Sequence, residues 1–277
     1  MRIVKSKLFI ILSLITIVFI VRHFLCVADL FYLPSYKQVS IDELLENDNL
    51  TDKDFDLIFK QTGVSPLAAK ELIGSYREHD LIELNTMLFS KPVVKKQYIF
   101  FPFTTEERNT HQKTPLAPLK NGDVLITFNT HTLDWRHGHA AIVTDAAAGE
   151  ILEHKSIGNA SVLTNIRNWQ SYPAFLILRH TDKEAAQKAA AYAKKALVGI
   201  DYNLLTGFLK KNKADESTPS GSHCSHIVWQ AYKAAGVDID FDGGMIVTPF
   251  DVASSDKLRL VQIYGINPSK FSFEVLK

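Results

Sequence analysis

The chain has 277 residues, 46% of them apolar, which is enough for one large domain, or a domain with a smaller appendage, around a real core. Thirty-one basic against thirty acidic side chains leave a net charge of +1, with no basic block dense enough to follow a phosphate backbone. Nucleic acid is therefore excluded as a partner.

At the N-terminus Arg2, Lys5 and Lys7 precede an apolar run from Leu8 to Val21, matching the charged and apolar regions of a secretory signal. Segment 1–28 is expected to export the chain, to be cleaved at Cys-Val-Ala before Asp29 or retained as a membrane anchor that runs on through Phe31. The expected location is accordingly periplasmic or anchored to the membrane. A lipoprotein role for Cys26 is disfavoured by the bulky Leu25 before it. Cleavage after Ala28 would leave Cys224 as the only thiol and make a disulfide within the mature chain impossible. A free cysteine in an oxidising compartment has either a chemical use or a place as a small buried hydrophobe.

Residues 29–92 read as a helical subdomain. "SIDEL" has the Ser-x-x-Glu form of a capping box at Ser40 and Glu43, and "TDKDFDLIFKQTG" repeats the idea with Thr51 and Asp54 and stops at Gly63. "SPLAAKELIGSY" sets Ser65 as cap with Pro66 in the first turn. The apolar residues here are read as packing positions without chemistry.

Within 93–277 the pattern first turns to strands. "QYIFFPF", "GDVLITF", "HAAIVTD", "EILEH" and "AFLILRH" are short β-branched and aromatic runs separated by turn residues, as in an antiparallel meander. "TDKEAAQKAAAYAKKALVG" then reads as a helix capped by Thr181 and ended by Gly199, and "SHCSHIVWQAYKAAG" as one capped by Ser222 and ended by Gly236. The fold class is α+β.

In the second of these helices Ile227, Val228, Ala231 and Ala235 share a stripe with Cys224, so the thiol points inward. Its place in the first turn, at the positive end of the helix dipole, favours thiolate over thiol and supplies N–H donors to an oxyanion. A base is then needed. His139 stands at the start of the strand "HAAIVTD", on the face of Ala141 and Val143 and next to Gly138, and the following strand offers Glu153 to orient the imidazole. A register slip of one residue would put His154 in that role instead. The bland alternatives are a hydrogen-bonded core histidine and a solvated glutamate. A zinc site from His131, Asp134, His137 and His139, with His223 and His226 flanking the thiol, is the competing chemistry; the glycine between His137 and His139 weakens it.

Seven segments in order carry a resemblance: "LKNGDVLITF", "GHAAIVTD", "ILEHKSIGNASV", "NWQSY", "VGIDYNLL", "HCSHIVWQAYKAAGVDI" and "TPFDVASSDKLRLV". Over roughly residues 116–264 the chain resembles the circularly permuted NlpC-type papain-like cysteine hydrolases of the YiiX, YaeF and YebB group, in which the histidine strand precedes the cysteine helix. The resemblance implies a permuted papain-like catalytic domain, Cys224, His139 and Glu153 as catalytic residues, and Tyr202 of "GIDY" at the edge of the site. It implies no metal or organic cofactor. His226 departs from it, standing where the group often has Glu. The expected function is cleavage of an amide or peptide bond in cell-envelope material through a thioester. The alternatives are lipid acyl transfer or deacylation, as in the lecithin:retinol acyltransferase relatives, and a catalytically silent binding module.

Overall fold

Apolar runs without alternation, such as Val-Leu-Ile-Thr at 124–127, call for a sheet covered on both faces. The computed structural model of the chain, which describes residues 11–17, 31–47, 49–100, 103–132, 135–206 and 221–277, contains one. Helices α1 (Asp42–Leu45), α2 (Asp52–Thr62), α3 (Pro66–Ile73) and α4 (Glu78–Leu88) precede strands β1 (Val94–Phe100), β2 (Phe103–Arg108), β3 (Val124–Thr127) and β4 (Thr130–Thr132). Then come β5 (His139–Asp145), β6 (Glu150–Glu153), β7 (Val162–Asn165), β8 (Phe175–His180), α5 (Lys183–Ala196), α6 (Cys224–Ala234), α7 (Pro249–Ser254) and β9 (Leu258–Tyr264). The chain is α+β.

The sheet does not follow chain order as a meander would. Six strands pair antiparallel in the order β7-β6-β5-β3-β8-β9, while β1, β2 and β4 form a separate three-stranded sheet. The described residues of the run "QYIFFPF", 97–100 and 103, thus belong to the small sheet. Alternate residues of the large sheet feed two cores. Val124, Ile126, Ala140 and Ile142 pack with Ile227, Val228 and Ala231 of α6, whereas Leu125, Ala141, Val143 and Ile177 pack with Ile58, Leu72 and Leu84 of the N-terminal helices. Residues 42–88 are therefore a layer on the sheet and share its core.

Several caps differ from the sequence reading. Thr51 and Asp54 form their capping box, Ser65 accepts the Ala68 N–H, and Gly63 closes α2 at a φ of 76°. Ser40, however, bonds Asp42 two residues on, so α1 begins after Ile41 without a side-chain cap. Asp182 rather than Thr181 caps α5, because its carboxylate accepts from both Glu184 and Ala185. His223 rather than Ser222 caps α6, since the Ser222 hydroxyl is turned to His226 Nδ1 at 2.9 Å.

Of the export segment only residues 11–17 are described, as helix; the cleavage site, Cys26 and Asp29 lie outside the described residues, as does Asp134. Among the described residues no helix is long and apolar enough to cross a membrane.

Candidate active site

Helix α6 is buried almost all round, and the hydroxyl of its Tyr232 donates to the Gly122 carbonyl at 2.6 Å, fixing the helix against the turn before β3. Ser225 donates to the Val247 carbonyl at 2.7 Å and holds the N-terminal end. Cys224 opens the helix, buried and free of any disulfide.

The helix packs on one face of the sheet while the base comes from the other. His139 is the first residue of β5, so alternation sets it with Ala141 and Val143, toward the N-terminal helices. The two meet where β5 begins, close enough for the thiol and the imidazole to shift each other's charge. Gly138, at a φ of 78°, turns the chain into the strand; a Cβ on it would sit 2.9 Å from the Thr127 carbonyl oxygen.

Glu153 is directly opposite Ala141 across the β5–β6 pair, hence on the face of His139, and its Oε2 is 3.0 Å from His139 Nε2. That contact leaves Nδ1 for the sulfur. The other carboxylate oxygen is held by the Thr164 hydroxyl and by Lys155 at 3.1 Å. Trp169 stacks on the imidazole, with centroids 5.5 Å apart and planes at 22°.

Electrostatics follow from this geometry. Burial works against every charge, yet hydrogen bonds from the imidazolium to Cys224 and Glu153 raise His139 to about 9. Burial would raise Glu153, but the His139 contact, with Lys155 and Thr164, holds it at about 2. Burial would also raise the thiol, and His139 with His223 outweighs it, bringing Cys224 well below its ordinary range. These directions favour a thiolate–imidazolium pair braced by a carboxylate.

Cys224, His139 and Glu153 are thus brought together. His154 is turned away: its Nε2 faces the Asn159 carbonyl at 3.1 Å and its ring meets Tyr202 edge-on at 4.8 Å. Tyr202 lies beside Ser222 in a β-bridge and lines the cavity that holds Cys224. Burial and the nearby Cys224 charge push its phenol up.

The described histidines of the zinc alternative have other partners. His137 is tied to Thr132 at 3.0 Å and to the Gly138 carbonyl at 2.9 Å, His131 faces Glu106 at 3.4 Å, and His139 is committed to Glu153. Among the described residues they do not form a group that could hold a metal ion.

The cavity encloses about 1000 Å³ and is mainly apolar, with Phe128, Trp135, Leu205, Ile246, Phe250 and Phe271 among its walls. Arg136 and Lys270 are the cationic residues that line it, and no carboxylate does so among the described residues. Arg136 is itself clamped by two 2.8 Å bonds to Glu106, which is fully buried.

Sequence reasoning missed three features of this site: the Trp169 stack, the Glu106–Arg136 clamp and the position of His223. Trp169 sits in a quoted segment without regular periodicity, and Glu106 lies on a strand, "FTTEER", whose polarity reads as loop.

Over 137 residues the chain is 31% identical to the uncharacterized protein YycO of Bacillus subtilis (strain 168), a match covering 48% of this chain and 52% of that protein. The chain spans about half the length of the curated relative it matches. No family model matches the chain, and no solved structure matches it.

Proposed function

We propose that the protein is a cysteine hydrolase of the permuted NlpC-type papain-like class, acting at an acyl carbonyl through a thioester on Cys224. The observation that carries this reading is the relay of Cys224, His139 and Glu153, with the thiol at the first turn of a helix and the imidazole held on its far nitrogen at 3.0 Å. The chain order, histidine strand before cysteine helix, supports the permuted class.

The steps follow from the charges. The Cys224 thiolate adds to the carbonyl carbon, forming the C–S bond and moving the π pair onto oxygen, where first-turn N–H groups of α6 meet it. The tetrahedral adduct collapses, the leaving group takes the proton of the His139 imidazolium, and a thioester remains. Neutral His139 then takes a proton from water, hydroxide attacks the thioester, and thiolate leaves with the acid released. Glu153 keeps the ring oriented and stabilises its charge throughout; it does not touch substrate.

Two substrate classes share this chemistry. The lining of the cavity favours the acyl-lipid class over a peptidoglycan stem peptide, whose carboxylates and amides would need more polar partners than these walls supply. The proposed substrate is an acyl lipid, released by hydrolysis or passed to another acceptor, and export or membrane attachment through segment 1–28 would bring the site to it. Incubating the purified full chain with phospholipid vesicles and with stem peptides decides between them. Free fatty acid that disappears in Cys224→Ala supports the lipid class; a stem-peptide fragment supports the amidase. No product from either, with ligand binding unchanged in Cys224→Ala, would favour the silent binding module.

A further inference from the structure

A second imidazole adjoins Cys224 and helps His139 to lower the thiol. His223 occupies the N-cap of α6, where its Nδ1 accepts the N–H of His226 at 3.5 Å and lies 3.4 Å from the Ser225 hydroxyl. A ring nitrogen that accepts a backbone N–H carries no proton, so the proton of the neutral ring is on Nε2. That Nε2 is buried and meets no nitrogen or oxygen acceptor; the residue is only 4% exposed and lines the cavity next to Cys224, whose thiolate charge it helps to hold. Once the sulfur pair is spent on a C–S bond that donor loses the thiolate charge, and a buried donor left without an acceptor costs free energy, so the oxygen that becomes negative beside it is the acceptor it gains.

The geometry points to His223 as a catalytic residue: its Nε2–H, together with first-turn N–H groups of α6, binds the oxyanion formed when Cys224 adds to a carbonyl. This role rests on the thiolate mechanism proposed above. In the step itself the sulfur pair makes the C–S bond, the carbonyl π pair moves to oxygen, and His223 donates a hydrogen bond without giving up its proton. The cap and the donor function are one device, because the helix N–H that occupies Nδ1 is what fixes the proton on Nε2.

Octanal tests it in the full chain, since an aldehyde adds to a thiolate reversibly and places its oxygen where the oxyanion stands. The readout is protection of the Cys224 peptide from iodoacetamide, resolved by mass spectrometry, in the wild type, in His223→Ser, which keeps a capping hydroxyl, and in His139→Ala. The expected result is that His223→Ser needs at least about tenfold more octanal for half protection, as for loss of one oxyanion donor. Without octanal its thiol alkylates more slowly than the wild type below the ordinary thiol range, because one of two lowering imidazoles is gone, yet faster than in His139→Ala. Equal protection of His223→Ser and wild type would overturn the role, as would a wild-type thiol that alkylates fast yet is never protected. A fall of alkylation in His223→Ser to the His139→Ala level without octanal would also overturn it, placing His223 on the thiol rather than the oxyanion. An ordinary thiol profile in the wild type would instead overturn the thiolate mechanism, and the role of His223 with it.

Discussion

Ala141 and Glu153 stand opposite each other in the β5–β6 pair, and that register sets the Glu153 carboxylate on the sheet face of His139, 3.0 Å from its Nε2. A shift by one residue would send Glu153 to the α6 face and leave the imidazole without its brace.

Replacing that carboxylate by an isosteric amide, Glu153→Gln, removes the charge that keeps His139 protonated. Ester turnover is expected to fall about a hundredfold or more, and Cys224 alkylation to shift toward the ordinary thiol range. Stability changes too. A carboxyl held at about 2 against an ordinary 4.5 contributes stability above the ordinary value and loses it as pH falls toward the folded one. Urea midpoints across that acid range should therefore slope less in Glu153→Gln than in the wild type.

The pH profile of turnover is expected to be a bell. Its acid limb, where the thiolate takes up a proton, lies well below the ordinary thiol range, and its basic limb, where the imidazolium is lost, lies near about 9. Both limbs belong to the coupled pair rather than to either residue. Initial rates on a short-chain ester measure it; a single rise through the ordinary thiol range would indicate a neutral thiol activated only on attack.

Gly138→Ala puts a Cβ 2.9 Å from the Thr127 carbonyl oxygen on a backbone with φ of 78°. The strain costs roughly 1 to 3 kcal/mol and is relieved by moving the entry to β5. His139 moves with it, so fast alkylation of Cys224 should be lost in a protein that still unfolds cooperatively in urea.

Arg136→Met strands the Glu106 carboxylate, which is fully buried, and should cost roughly 3 to 5 kcal/mol in urea unfolding. The double variant Glu106→Leu/Arg136→Met removes both charges and should recover much of that loss. No recovery would mean that the clamp is not what holds this wall of the cavity.

Leu205 is 50% exposed and lines the cavity, so Leu205→Asp should leave thermal stability unchanged. A charge at an acyl-binding wall is expected to raise KM for a long-chain ester about tenfold while leaving a short-chain ester nearly unaffected. Equal effects on both esters would contradict an acyl chain in this cavity.

Much of this arrangement was legible in the sequence because local rules decide it. Spacing along "HCSHIVWQA" fixes which side of α6 faces the sheet, and the hairpin "HAAIVTDAAAGEILE" fixes the pairing that joins His139 to Glu153. What was not legible depends on partners distant in the chain. The strand order, the two-faced core and the Glu106–Arg136 clamp each join segments that no periodicity relates. The α6 cap was misread because Ser222 and His223 both accept hydrogen bonds, and only the course of residues 201–203 beside Ser222 decides between them.

The central claim is the thiolate–imidazolium pair of Cys224 and His139. The rate of iodoacetamide alkylation against pH tests it most directly, read by mass spectrometry on the Cys224 peptide of the full chain, which also carries Cys26, in wild type and His139→Ala. The pair predicts fast alkylation of the wild type far below the ordinary thiol range and its loss in His139→Ala; the same ordinary thiol profile in both proteins would contradict it.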